Sequence, residues 1–259
     1  MVPPRPLRAL SSGIGFTVFG LGSLVLVLLV FPLVWLFTRG RVRRTRRTRA
    51  LIRHSFRWFI TLLVVLRAID VRWHHRERLA QAGPLLVIAN HPSLIDVVLL
   101  AGWVPEAECV VKRDAWSNPF LGGVMRAADY IPNDDGEGLI AACVERLRGG
   151  ATLILFPEGT RSPKGRLRDF KRGAARIALQ AGCPVLLVDI DCRPPFLGKG
   201  DPWYQVPDEL PCYTVTAHEP EPVRGPPDAS QPPGGSEASA ARRLSSTWRS
   251  GFEERLGHV

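Results

Sequence analysis

The chain has 259 residues, long enough to bury one sizeable core, and its 46% apolar content is ordinary for a globular protein. A net charge of +10, mostly arginine, points to anionic partners such as lipid headgroups, an acidic carrier protein or a phosphorylated substrate. Five cysteines (Cys109, Cys143, Cys183, Cys192 and Cys212) show no metal-type spacing and sit mostly in apolar segments, which suits buried free thiols in a reducing, cytoplasmic compartment.

Residues 13–38 carry no charge. As a helix these 26 residues reach about 39 Å, against a hydrocarbon core of roughly 30 Å, so they are long enough to cross a bilayer with tilt or a kink at Pro32. A re-entrant or interfacial helix fits the same composition, and no small-residue cleavage site follows to suggest a signal peptide. Seven arginines follow in residues 39–49, a bias that keeps this side cytoplasmic and favours anionic headgroups. Nucleic-acid binding is the rival explanation for the charge, but no nucleic-acid module accompanies the block. Residues 55–73 have an uncharged core too short to span, and read as a helix in the headgroup region or packed on the domain.

From residue 84 the pattern changes. Apolar runs at 85–89, 109–111, 152–156, 185–190 and 213–217 predict buried strands, and 93–102, 118–127, 137–148 and 172–181 predict helices between them. This alternation predicts an α/β fold, a mostly parallel sheet covered by helices, with N-terminal membrane-associated helices before it. The expected divisions are 1–73 for those helices, 74–218 for the α/β domain, 219–240 for a Pro/Gly-rich linker or loop, and 241–259 for a C-terminal amphipathic helix. Leu244, Trp248, Phe252 and Leu256 give that last helix an apolar edge suited to docking on the domain or the membrane.

Two stretches carry chemistry. In Asn90-His91-Pro92-Ser93-Leu94-Ile95-Asp96 a histidine leaves a strand and a carboxylate follows in the first turn of a helix, with Ser93 as the expected N-cap. The imidazole suits a general base and Asp96 suits its orienting partner. Taken alone, Ser93-x-x-Asp96 also reads as helix-start chemistry. In Phe156-Pro157-Glu158-Gly159-Thr160-Arg161-Ser162, Gly159 permits a tight turn, while Thr160 and Arg161 offer a hydroxyl and a planar cation to a phosphate. Lys171 and Arg172 open the next helix, and Glu158 stands among these cations as a candidate for binding a substrate hydroxyl. A plain polar loop is the alternative.

Together the two stretches resemble the glycerolipid acyltransferase family, typified by 1-acyl-glycerol-3-phosphate acyltransferases, over roughly residues 70–217. The resemblance implies an α/β domain on the cytoplasmic face of the membrane, an inner membrane in a bacterium. It implies His91 as base toward an acceptor hydroxyl and Asp96 as its support. Glu158, Gly159, Thr160 and Arg161 would bind the acceptor's glycerol phosphate, with Lys112 at a basic family position and Lys171 beside them. The co-substrate is an acyl carrier protein or coenzyme A thioester, the acceptor a lysophospholipid or another hydroxyl, and no cofactor, metal or nucleic acid is implied. Two motifs depart from the family. Asn133 stands where an arginine is usual, near Asp134 and Asp135, with Arg126 as a candidate substitute; Leu187 replaces a proline where Pro184 is kept. Similar Ile-Pro-Asn-Asp variants resemble acyltransferases of aryl-polyene pathways. A membrane-tethered lipid-binding relative without turnover is the contrasting class.

Overall fold

A computed structural model describes residues 3–81, 83–133, 136–223 and 235–257. Its centre is a sheet of β1 (Asp70–His74), β2 (Leu85–Ala89), β3 (Glu108–Lys112), β4 (Ile131–Asn133), β5 (Thr152–Leu155), β6 (Pro184–Arg193), β7 (Cys212–Ala217) and β8 (Glu221–Pro222). The order across the sheet is β1-β7-β6-β2-β5-β3-β4, with β8 against β6. Every pairing from β6 through β4 is parallel, while β7 and β8 run antiparallel to β6. The mostly parallel sheet expected from the strand–helix alternation is what forms.

The helices are α1 (Arg5–Val25), α2 (Phe31–Phe37), α3 (Arg41–Val65), α4 (Asp96–Trp103), α5 (Arg113–Trp116), α6 (Gly122–Ala127), α7 (Glu137–Arg148), α8 (Gly173–Ala181) and α9 (Gly235–Leu256). They sandwich the sheet. In β2, Leu85, Val87 and Ala89 join the core under α3, α4 and α6, and Leu86 and Ile88 join the core under α7, α8 and α9. Burial on both faces is why this strand reads as an unbroken apolar run.

Residues 55–73, read as one helical stretch, divide. α3 absorbs most of the arginine block and ends at Val65, Arg67 turns the chain with a φ of 54°, and Asp70–His74 pairs in parallel with β7. This edge strand lacks the uniform burial of β2, so its sequence carries no strand signal. Of the two placements expected for the stretch, α3 packs on the domain through buried Ile52, Phe59, Ile60 and Leu63. The linker is also shorter than 219–240, because β8 and the start of α9 fall within it; residues 224–234 lie outside the described residues. α9 docks on the domain through Trp248, Phe252 and Leu256.

α1 and α2 form one helical rod of 33 residues, Arg5–Phe37, joined through a π-helical stretch at Leu26–Val30. Pro32 has no N–H to donate, and one residue earlier the Phe31 N–H reaches back to the Leu26 carbonyl. One side of the rod is fastened to the domain. Buried Arg8 donates to the carbonyls of Pro207, Asp208 and Glu209 at 2.6 to 2.8 Å, Ser12 donates to Trp203, and Phe16 and Phe19 pack on Phe59. The other side exposes Leu10, Leu21, Leu28, Leu29, Leu36 and Phe37.

Candidate active site

Both motifs leave the carboxyl ends of adjacent parallel strands, where an open α/β sheet gathers its ligands. β2 ends against Asn90, whose side-chain amide exchanges two 2.7 Å hydrogen bonds with the backbone of Ile190. That exchange replaces a ladder pair, so the strand stays anchored to β6 while the chain turns away to His91.

The carboxylate of Asp96 points back at this turn. Its Oδ2 lies 2.7 Å from His91 Nδ1 and accepts the Ser93 N–H at 2.7 Å; its Oδ1 accepts the Ser93 hydroxyl at 2.5 Å. Asp96 and Ser93 are wholly buried, and the imidazole is 17% exposed. A buried carboxylate is tolerable only when its lone pairs are filled, and here three donors fill them. With Nδ1–H assigned toward Asp96, Nε2 is the basic ring nitrogen. The Phe156 ring stacks on the imidazole at 4.2 Å between centroids. Ser93 is not the helix N-cap: α4 starts at Asp96, its cap position is Ile95, and the Ser93 hydroxyl serves the carboxylate instead.

The second motif turns tightly after β5. Gly159 has a φ of +68°, the left-handed region that favours glycine, and the Lys171 side chain lies over it, 2.9 Å from where a Cβ would sit. Glu158 is buried and points inward. Its Oε1 accepts the His91 N–H at 3.0 Å and the Ser162 hydroxyl at 2.7 Å, and its Oε2 accepts the Arg168 N–H at 3.0 Å. The Ser162 N–H in turn donates to the His91 carbonyl at 2.7 Å. Glu158 therefore joins the two motifs.

A cavity of about 1210 Å³ opens over this junction, above the roughly 300–1,000 Å³ usual for small-molecule sites. Its polar lining includes His91, Lys112, Thr160, Arg161, Lys171 and Lys199. Its apolar lining, from the sheet, α1, α3 and α4, includes Phe16, Phe19, Phe59, Val98, Cys109 and Tyr130. Burial pushes the Cys109 thiol up to about 12 and holds the Tyr130 phenol well above its ordinary value, so both walls are uncharged. Behind them Arg49, from the arginine block, pairs with buried Glu108 at 2.8 Å.

Known proteins share this architecture. Residues 70–190 match the family model described as Acyltransferase. Over these residues the chain carries an Acyltransferase domain. The crystal structure of the 1-acyl-sn-glycerophosphate acyltransferase PlsC from Thermotoga maritima is similar at a TM-score of 0.69 and 25% identity, covering 96% of this chain and 94% of that one. The chloroplastic 1-acyl-sn-glycerol-3-phosphate acyltransferase BAT2 of Brassica napus is 30% identical over 206 residues, 72% of this chain. The enzyme so named in Pseudomonas aeruginosa is 30% identical over 146 residues, 54% of this chain. The chain spans 56% of the length of each of these two curated relatives.

In this acyltransferase domain the structure brings His91, Asp96, Glu158, Gly159, Thr160, Arg161, Lys112 and Lys171 to one end of the sheet. Two expectations change. Glu158 has its oxygens turned to protein donors and does not line the cavity; Arg126 donates to the Trp116 carbonyl and does not line it either. Asp134 and Asp135 lie outside the described residues. Lys199 is a further lining residue outside both motifs. It reaches the cavity on a loop whose Leu197 and Gly198 carbonyls accept from Arg161 at 3.1 and 2.8 Å, and a lone lysine between glycines carries no motif signal.

Proposed function

We propose that the protein is a membrane-associated O-acyltransferase that moves a fatty acyl group from a thioester to the hydroxyl of a lysophosphatidate-like acceptor. The observation that carries this reading is the His91–Asp96 pair, its imidazole lining a cavity that holds both cationic and apolar side chains. His91 Nε2 takes the proton of the acceptor hydroxyl as its oxygen attacks the thioester carbonyl. Asp96 holds the ring and stabilises the imidazolium. The tetrahedral intermediate then expels the thiolate, which takes the proton back from His91, leaving an ester and a free thiol. Lys112, Arg161, Lys171 and Lys199 hold the anionic end of the acceptor, and the apolar lining holds the acyl chain.

The exposed apolar side of the α1–α2 rod supports membrane attachment. Because Arg8 near its start and Phe31 near its end are both buried against the protein, we favour a rod lying in one leaflet over one crossing the bilayer. The cavity, lined by α1 and α3, is then open to lipid. The arginines after the apolar run favour the cytoplasmic face of an inner membrane. The donor is acyl carrier protein or coenzyme A, and no cofactor enters the reaction.

Asn133, in place of the family arginine, supports a second reading: the same chemistry on another hydroxyl, such as that of an aryl-polyene lipid. Thiol release by the detergent-purified protein, offered both donors and a panel of hydroxyl acceptors, separates the two. Release stimulated most by lysophosphatidate supports the first; release stimulated only by a non-phosphorylated alcohol supports the second.

A further inference from the structure

The cavity has one more arginine in its lining than the motifs supply. Arg176, on α8, lines it, and so does Glu137, the first residue of α7. Two nitrogens of Arg176 hold the two carboxylate oxygens of Glu137 at 2.5 and 2.8 Å. The Arg176 side chain is 29% exposed and that of Glu137 is 77% exposed. A second carboxylate, Glu237 of α9, stands 3.6 Å from Arg176 Nε.

This pair shares the cavity lining with Asn133, which stands where the family pattern has an arginine. Asn133 ends β4, four residues before Glu137, and is neutral. Arg126 is turned to the Trp116 carbonyl and does not line the cavity. Arg176 instead presents a planar fork to a carboxylate, the geometry that also grips a phosphate. Its present partner is replaceable, because the Glu137 side chain is 77% exposed and water rehydrates the carboxylate once it is displaced. A phosphate monoester carries up to two charges and three acceptor oxygens, and competes well for the same fork. The hydrogen bond from Arg176 holds the Glu137 carboxyl below its ordinary range, so Glu137 is ionised and a true competitor near neutral pH.

We propose that Arg176 receives the phosphate of the acceptor in this chain, and that Glu137 is the carboxylate it releases to do so. The inference rests on the lysophosphatidate reading above and assigns to α8 the cation that the end of β4 lacks. Glu137 then acts as a selectivity element. A dianionic headgroup displaces it and an uncharged one does not.

The test is steady-state kinetics of thiol release on the full chain, with lysophosphatidate varied at fixed donor and the donor varied at fixed lysophosphatidate. Arg176→Ala raises KM for lysophosphatidate about tenfold, the effect of one lost charge-assisted contact, with kcat little changed. Arg176→Lys, which keeps the charge and loses the fork, falls between. Glu137→Gln lowers KM for lysophosphatidate several-fold, the opposite sign, and adds nothing once Arg176 is Ala. The donor KM stays the same throughout. Glu137→Gln and Arg176→Ala raising KM together, or neither changing it, would make the pair a structural brace and overturn the inference. Wild-type protein that turns over another alcohol and not lysophosphatidate overturns the acceptor reading itself, which the wild type alone reveals.

Discussion

The backbone N–H of His91 donates to the carboxylate of Glu158, 67 residues away, at 3.0 Å. The carboxylate of the second motif thus fixes the turn that presents the imidazole of the first, and the two motifs act as one structure. Glu158 is buried with three donors on it, so removing it strands an N–H, a hydroxyl and a second N–H in the interior. Glu158→Ala is expected to destabilise the fold by about 3–5 kcal/mol, and Glu158→Gln by about 1–3 kcal/mol. In kinetics both lower kcat more than they raise KM for the acceptor, because the loss is in the placement of His91. A change confined to KM would return Glu158 to the role of substrate ligand.

Ser93 gives Asp96 both its N–H and its hydroxyl, and only the hydroxyl can be removed by substitution. Ser93→Ala leaves one buried carboxylate oxygen without its donor, a hydrogen bond to a charged group being worth about 1.5–3 kcal/mol. We expect kcat/KM to fall about tenfold, with Ser93→Thr recovering most of it, and thermal stability to fall as well. Wild-type kinetics in Ser93→Ala would mean that the other two donors suffice to orient Asp96.

The exposed side of the α1–α2 rod predicts how the protein meets lipid. Leu28, Leu36 and Phe37 have few protein neighbours, with exposures of 66%, 73% and 76%. Replacing all three by Ser removes apolar area that contributes to bilayer partitioning at about 25 cal/mol per Å². Co-sedimentation with vesicles should weaken at least tenfold while the melting temperature in detergent stays close to wild type. Unchanged sedimentation would place the lipid contact elsewhere.

The thiols give a check on the interior. Burial pushes Cys109, Cys143 and Cys192 up to about 12, and raises Cys183 and Cys212 too. At pH 8 the thiolate fraction in the folded protein is therefore small. A maleimide or disulfide reagent should label half-buried Cys212 first and the other four only on unfolding. Rapid labelling of Cys109 in the folded protein would mean that the floor of the cavity is open to water.

One ion-pair cluster sets a pH dependence. Burial alone would raise the Asp129 carboxyl, but its hydrogen bond from Arg146, with the charges of Arg146, Arg41 and Arg49, outweighs this and lowers it below 3.8. A carboxyl lowered on folding contributes stability that is complete above its unfolded value and lost as pH falls through the folded one. Asp129→Asn suits the left-handed backbone there, φ 56°, so it removes the charge without new strain. The difference in melting temperature between wild type and Asp129→Asn should be constant near neutral pH and shrink below about pH 4. A difference that persists undiminished into acid would assign it to something other than the charge.

Much of the sheet was legible because β2, β3, β5, β6 and β7 are apolar runs bounded by turns. β1 was hidden because an edge strand pairs on one side only and Arg72 and His74 face outward. α6 begins at Gly122, not 118, because the Asn118 side chain accepts from the Phe120 and Leu121 N–H groups and holds a turn first. His91 and Asp96 were readable as a pair, five residues apart across a turn. The inward aim of Glu158, the fastening of Arg8 to residues 207–209 and the Arg176–Glu137 pair all join distant segments, and local pattern carries no trace of such contacts.

The most direct test of the proposed mechanism is thiol release from an acyl thioester by wild type and by His91→Ala, with and without lysophosphatidate, the fold of each checked by its melting temperature. Acceptor-dependent release in the wild type that falls by about 10²–10⁴-fold in a folded His91→Ala is the predicted result. Equal rates in the two proteins would contradict His91 as the base and, with it, the mechanism.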